Sequence, residues 1–191
     1  PYRRQRQMCI RDSPNKLLEF VKSGFHGNGA LAVPVVTFGN RSFDNSLAEL
    51  CACLEGDGFH TIGAGAFACR HAFTDALANG RPDSDDMAEL AKLGSAVVGR
   101  IVRMTEYPAP VTVDGDADAP YYRPLGLDGE PKVFLKAKPK TDLDKCIHCG
   151  VCASLCPMGS INPDDVTEVV GVCIKCHSCV RNCPMGAKYF D

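Results

Sequence analysis

Eight cysteines near the carboxyl end fall into two runs of one spacing: Cys146, Cys149, Cys152 and Cys156-Pro157, then Cys173, Cys176, Cys179 and Cys183-Pro184. Both read C-x2-C-x2-C-x3-C-P, a ligand spacing that holds two [4Fe–4S] clusters. Three thiolates placed three residues apart wrap one cube of iron and sulfide, because the short loop turns all three sulfurs inward. The fourth cysteine of each run lies past the start of a short helix, faces away and completes the other cube. The spacing therefore assigns Cys146, Cys149, Cys152 and Cys183 to one cluster, and Cys173, Cys176, Cys179 and Cys156 to the other. Two other uses of cysteine fit less well. Zinc sites built from two separated C-x2-C pairs need neither a third cysteine nor the Cys-Pro. Disulfides between residues three apart are strained and leave the duplicated spacing without a reason.

The duplication extends beyond the cysteines, since Cys-Pro-Met-Gly occurs at Cys156–Gly159 and again at Cys183–Gly186. Over these motifs the segment resembles the two-cluster bacterial-type ferredoxin domain. The resemblance implies short helices near Val151–Leu155 and Ser178–Asn182. It also implies two antiparallel hairpins, one pairing Ser160–Asn162 with Glu168–Val170, the other pairing the segment before Cys146 with Ala187–Phe190. So small a domain buries little apolar surface, so bound clusters must supply much of its folding energy. His148 and His177 sit inside the cluster loops at non-ligand positions. There they either tune the clusters through charge or hydrogen bonds to sulfur, or simply face solvent.

The elements that carry this domain are less plainly marked. The 191 residues allow one or two domains; 45% are apolar and the formal charge is −2, so no basic excess points to nucleic acid. No apolar run approaches the length of a membrane span. Twelve cysteines, eight of them in cluster motifs, imply a reducing compartment, with the cytoplasm as the default. Residues 1 to 13 form a separate case. Met8-Cys9-Ile10-Arg11-Asp12 looks like one reading frame of a transposase adapter used in sequencing libraries. Against the alternative of a genuine basic arm, the stretch is expected to be non-native, exposed and without a consistent apolar face. A natural gene is then expected to continue upstream of Pro14.

From residue 14 the pattern alternates. Asn15–Ser23 reads as a helix closed by Gly24, Ala30–Phe38 as a buried parallel strand despite Pro34, and Leu47–Leu54 as a helix stopped at Gly56-Asp57-Gly58. Phe59–Phe67 reads as a second buried strand. Asp83–Val102 reads as a long helix, capped by Ser84 or Asp85, with Leu90, Leu93, Val97, Val98 and Ile101 as its apolar stripe. This order implies a parallel sheet with crossovers. Cys51, Cys53 and Cys69 read as small buried hydrophobes, and His26, His60 and His71 as isolated side chains.

Three motifs carry a second resemblance: Val36–Asp44, Ala66-Phe67 with His71–Phe73, and Asn79–Asp83. Through them residues 14–104 resemble the second half of a flavodoxin-like domain, in families that fuse such a domain to a two-cluster ferredoxin. The fold class expected is thus an α/β fragment, a flavodoxin-like parallel sheet in its second half only, followed by a small α+β ferredoxin domain at 141–191. The first strand and its phosphate-binding loop have no counterpart here. The resemblance places the Gly39–Asp44 loop against a flavin ring, with Gly39, Asn40, Arg41 and Phe43 as contacts. FMN is expected only in a full-length parent, and weak or absent binding in this chain.

Residues 105–140, rich in Pro, Gly and Asp, read as a linker in which Tyr121–Pro124 packs on the first domain. Lys132, Lys136, Lys138 and Lys140 there either face an acidic redox partner or are simply solvated. No constellation of general acid, base or nucleophile is visible, which favours an electron carrier for redox protein partners over a stand-alone catalyst. The alternatives are a flavin-plus-iron–sulfur oxidoreductase, or an electron-transfer subunit of one. Without its first half, the sheet is expected to keep Ala30–Phe38 beside Phe59–Phe67, expose an apolar edge and self-associate through it. A carboxyl-terminal piece cut near Lys140 is expected to fold alone.

Overall fold

The structure, a computed structural model, describes residues 15–120, 125, 128–131 and 137–190. The expectations for residues 1 to 13, for Tyr121, Tyr122, Arg123 and Pro124, and for Lys132 and Lys136 lie outside the described residues. Two compact units divide the chain, Pro1–Pro131 and Lys132–Asp191.

In the first unit, helix α1 (Asn15–Gly24) ends where Phe20 folds over Gly24 and meets Phe25 edge-on at 5.4 Å. The apolar run that follows does not form one strand. Pro34 has no N–H to give a ladder, so the run splits into β1 (Leu31–Ala32) and β2 (Val35–Phe38). Its partner run splits likewise into β3 (His60–Thr61) and β4 (Gly65–Ala68). β1 pairs parallel with β3, Leu31 opposite His60, and β2 pairs parallel with β4, Val35 opposite Gly65. Between these pairs Val33 and Pro34 stand against Ile62, Gly63 and Ala64, so the register slips by one residue. The expectation of two fully buried strands is corrected here. Val35 is 41% exposed and only Thr61 and Ala68 are buried within the four strands.

Helix α2 (Ser46–Gly56) supplies Leu47, Ala48 and Cys51 to the core of this unit. Its Glu55 carboxylate accepts hydrogen bonds from the backbone and hydroxyl of the fully buried Thr61, whose hydroxyl in turn accepts from Val111 N at 3.2 Å. Helix α3 (Ser84–Arg103) is capped by Asp83, rather than by Ser84 or Asp85. The Asp83 carboxylate accepts from Asp85 N and Asp86 N at 3.0 and 3.1 Å, and the Asp86 carboxylate returns to Asp83 N at 2.9 Å. That reciprocal box satisfies donors the first helical turn leaves open. Gly63 lets the helix come close: a Cβ there would lie 2.6 Å from Val97 Cγ2. Of the expected stripe, Leu93 and Val97 are half-buried, whereas Leu90, Val98 and Ile101 are 39%, 60% and 43% exposed. The helix thus presents part of its apolar face to no described neighbour.

The second unit is an antiparallel frame. β5 (Lys140–Thr141) pairs with β6 (Lys188–Tyr189), Lys140 opposite Tyr189, and an isolated bridge joins Ile161 to Val169. Helices α4 (Val151–Ser154) and α5 (Ser178–Arg181) are each one residue shorter than expected. The buried centre is Cys152, Ile161, Val166 and Cys179. Half of that core consists of the cysteines themselves. Among the described residues, no helix is long and apolar enough to cross a membrane.

Candidate metal centre

Each cysteine run is shaped by backbone that turns left-handed at matched places. His148 and Lys175, Gly150 and His177, and Gly159 and Gly186 all have φ between 52° and 73°. The first pair turns the loop between the first two cysteines of a run. The second pair precedes α4 and α5 and brings Cys152 and Cys179 to buried positions at 8% exposure each. The third pair reverses the chain after Cys-Pro-Met. Ser160 N can then donate to Cys156 Sγ at 3.3 Å, and Ala187 N to Cys183 Sγ at 3.2 Å. One local conformation is therefore written twice, and glycine appears where the run has no side chain to spend on the turn.

Two cavities result, of about 330 and about 370 Å³ of empty space with their mouths included. Their near-equal size follows from their being two copies of one segment. The first is lined by Cys146, Cys149, Cys152 and Cys183, among Ile147, Val151, Val166 and Ala187. The second is lined by Cys156, Cys173, Cys176 and Cys179, among Ile161, Val169, Ile174 and Phe190. The fourth cysteine of each run thus lies in the wall of the other run's cavity. Cys149 and Cys176 are exposed. Among the described residues, no three His, Cys, Asp or Glu side chains are placed to hold a single metal ion.

Electrostatics divides the cysteines into two kinds. Burial pushes the Cys152 thiol up, and pushes Cys179 to about 11. Burial raises Cys156 and Cys183 too, but backbone amides outweigh it and leave both below the ordinary thiol range. The amides of Ser160, Met158 and Ile161 act on Cys156, and those of Lys188, Ala187, Met185 and Gly186 on Cys183. These amide donors favour a thiolate, and a bound metal cation would ionise the two buried thiols as well. The donor set fits an iron–sulfur group: soft thiolates, apolar walls and N–H groups aimed at sulfur.

One residue of these walls was not singled out in the sequence. Lys188, buried at 3%, lines the first cavity and donates from Nζ to Val166 O. Its signal was present in the repeat, since it stands where Ile161 stands after Cys156. His177 stacks on Phe190 at 4.5 Å and lines the second cavity, while His148 is exposed. Lys138 is tied to the hairpin through Val169 O at 2.7 Å.

The four residues proposed against a flavin lie together after β2. A Cβ on Gly39 would come within 2.6 Å of the ring of His71, which is buried at 3%. Asn40 is left-handed, with φ 58°, and Phe43 lies against Phe38 at 5.3 Å. Arg41 Nη1 is buried with no hydrogen-bond partner among the described residues. Only Asn40 of the four lines the open groove bounded by Phe38, β4, Arg81 and α3. Of the remaining cysteines described here, Cys51 is buried, whereas Cys53 and Cys69 are half-buried. His60 stacks on Tyr107 at 4.1 Å, and His26 is exposed.

A family model described as a 4Fe-4S dicluster domain matches residues 138–184, which contain all eight cysteines of the two runs. No curated protein and no solved structure matches the chain. The carboxyl-terminal part is therefore a 4Fe–4S, ferredoxin-like domain, and its family supports an iron–sulfur electron-transfer role.

Proposed function

We propose that the second unit carries two [4Fe–4S] clusters and passes single electrons between redox protein partners. Cys146, Cys149, Cys152 and Cys183 hold one, and Cys173, Cys176, Cys179 and Cys156 hold the other. The observation that carries this reading is the lining of each cavity by the four cysteines of one interleaved set. When bound, such clusters supply reversible one-electron chemistry at a potential set by charge, hydrogen bonds and exposure. The chain's own part is to exclude water with its apolar walls and to fix Cys156 and Cys183 through backbone amides. It also brings Cys149 and Cys176 to the surface, where a partner docks. Sulfurs spread round a cavity suit a cube better than a single zinc ion, which draws its ligands to one point. Anaerobic reconstitution is expected to give about eight irons and about eight labile sulfides per chain. Zinc in place of iron, or half that iron, would overturn the reading.

A second reading is favoured by the parallel pairs β1–β3 and β2–β4 and by the Gly39–Phe43 loop at the carboxyl end of β2. Here residues 14–104 belong to a flavodoxin-like domain, residues 105–140 join it to the cluster domain at 141–191, and a flavin feeds electrons to the clusters as part of an oxidoreductase. Ligands of open α/β sheets bind beyond the carboxyl ends of the strands, where this loop lies. Absorption of the native protein separates the two: flavin bands above the cluster spectrum support the second reading, and their absence the simple carrier.

A further inference from the structure

The two cavities are built by one repeated segment, yet their walls differ in charge at one repeated position. Ile161 and Lys188 stand at the same interval after Cys156 and Cys183 and are both buried, at 4% and 3% exposure. Ile161 lines the cavity of Cys156, Cys173, Cys176 and Cys179, and Lys188 lines that of Cys146, Cys149, Cys152 and Cys183. Val166 O accepts from Lys188 Nζ and from Thr141 Oγ1, so the ammonium is held inside the fold. Among the described residues, no carboxylate lines either cavity. The second cavity has a lysine of its own, Lys175, but that side chain is half-exposed and its charge is screened by water.

We propose that Lys188 is a tuning charge that makes the two clusters unequal, raising the potential of the one held by Cys146, Cys149, Cys152 and Cys183 above that of its twin. The inference rests on the two-cluster reading above. Reduction adds a negative charge to a cluster, and a buried cation in its wall stabilises that charge more strongly than a solvated one. Lys188 is tied to Val166, which shares one buried core with both Cys152 and Cys179, so both clusters feel it. The effect is larger on the cluster whose wall it forms, and a single electron rests there by preference.

The test is a dithionite titration of the reconstituted full chain, followed by electron paramagnetic resonance. Lys188→Met is expected to weaken reduction of one cluster about tenfold, which is about 59 mV for one electron, and to move the other less. Lys188→Arg is expected to keep both potentials. Ile161→Lys is expected to raise the potential that Lys188→Met moves least. If Lys188→Met holds about eight irons and shifts neither potential, or both equally, the inference is overturned. Should Lys188→Met fail to assemble, the other two variants decide. Unchanged potentials in Ile161→Lys overturn the inference, and a single raised potential there, with Lys188→Arg like the parent, upholds it. Fewer than about eight irons in the parent chain would instead bring down the two-cluster reading on which the inference stands.

Discussion

Arg81 and Asp86 show at the scale of single residues how a polar pair can escape a reading of the sequence. The Arg81 guanidinium donates to both oxygens of the nearly buried Asp86 carboxylate and also meets Asp83 Oδ2 at 3.2 Å. Hydrogen bonds from Arg81, opposed by burial, hold the Asp86 carboxyl at about 2. The folded value lies below the ordinary carboxylate value of about 3.9, so the unfolded chain binds the extra proton first. The stabilisation is therefore complete above pH about 4 and is lost as pH falls through about 2. Helical circular dichroism is expected to report it, because α1, α2 and α3 carry most of the helix. The urea midpoint of the first unit should fall over that acid window, and Asp86→Asn should lower it at neutral pH and flatten the acid limb. An unaltered acid limb in Asp86→Asn would remove the pair from the account. The cysteines were legible because a ligand spacing is local and chemical. The Asp83 cap and the Thr61–Glu55 bonds were not, because each depends on where a chain turn brings two residues.

At the scale of elements, the order of helices and strands was legible and the depth of their burial was not. An apolar, β-branched run marked the first strand region, and a run rich in small residues marked the second. Whether a strand is covered depends on which elements lie across it, however, and β2 is left with alternate residues in solvent. Pro34 cut the first run, and the extra residue in the facing run moved the register. Among the described residues β2 pairs on one side only, with β4, and Val35 and Val33 are exposed beside that open edge. An open apolar edge is a template for another strand. Sedimentation velocity is expected to show association that grows with concentration, and Val35→Lys is expected to reduce it by charging the edge. A chain that stays monomeric at every concentration, or a Val35→Lys variant that associates as before, would count against this route.

At the scale of the whole molecule, the two units differ in how their folds are specified. The first rests on helix-to-strand packing and a few buried hydrogen bonds. The second has a core of Cys152, Cys179, Ile161 and Val166, half of it sulfur, so its fold and its ligand set are one arrangement. That is why the second unit was legible in detail: its ligand spacing is local and duplicated, and the ferredoxin resemblance carried by that spacing implied the hairpins and short helices. The interleaving of the two runs is the central claim, and exchanging one ligand across the repeat tests it most directly. In Cys183→Ser, spectroscopy of the reconstituted chain is expected to show damage to the cluster of Cys146, Cys149 and Cys152, with the cluster of Cys173, Cys176 and Cys179 intact. Damage confined to the cluster of Cys183's own run, with the first cluster untouched, would contradict it.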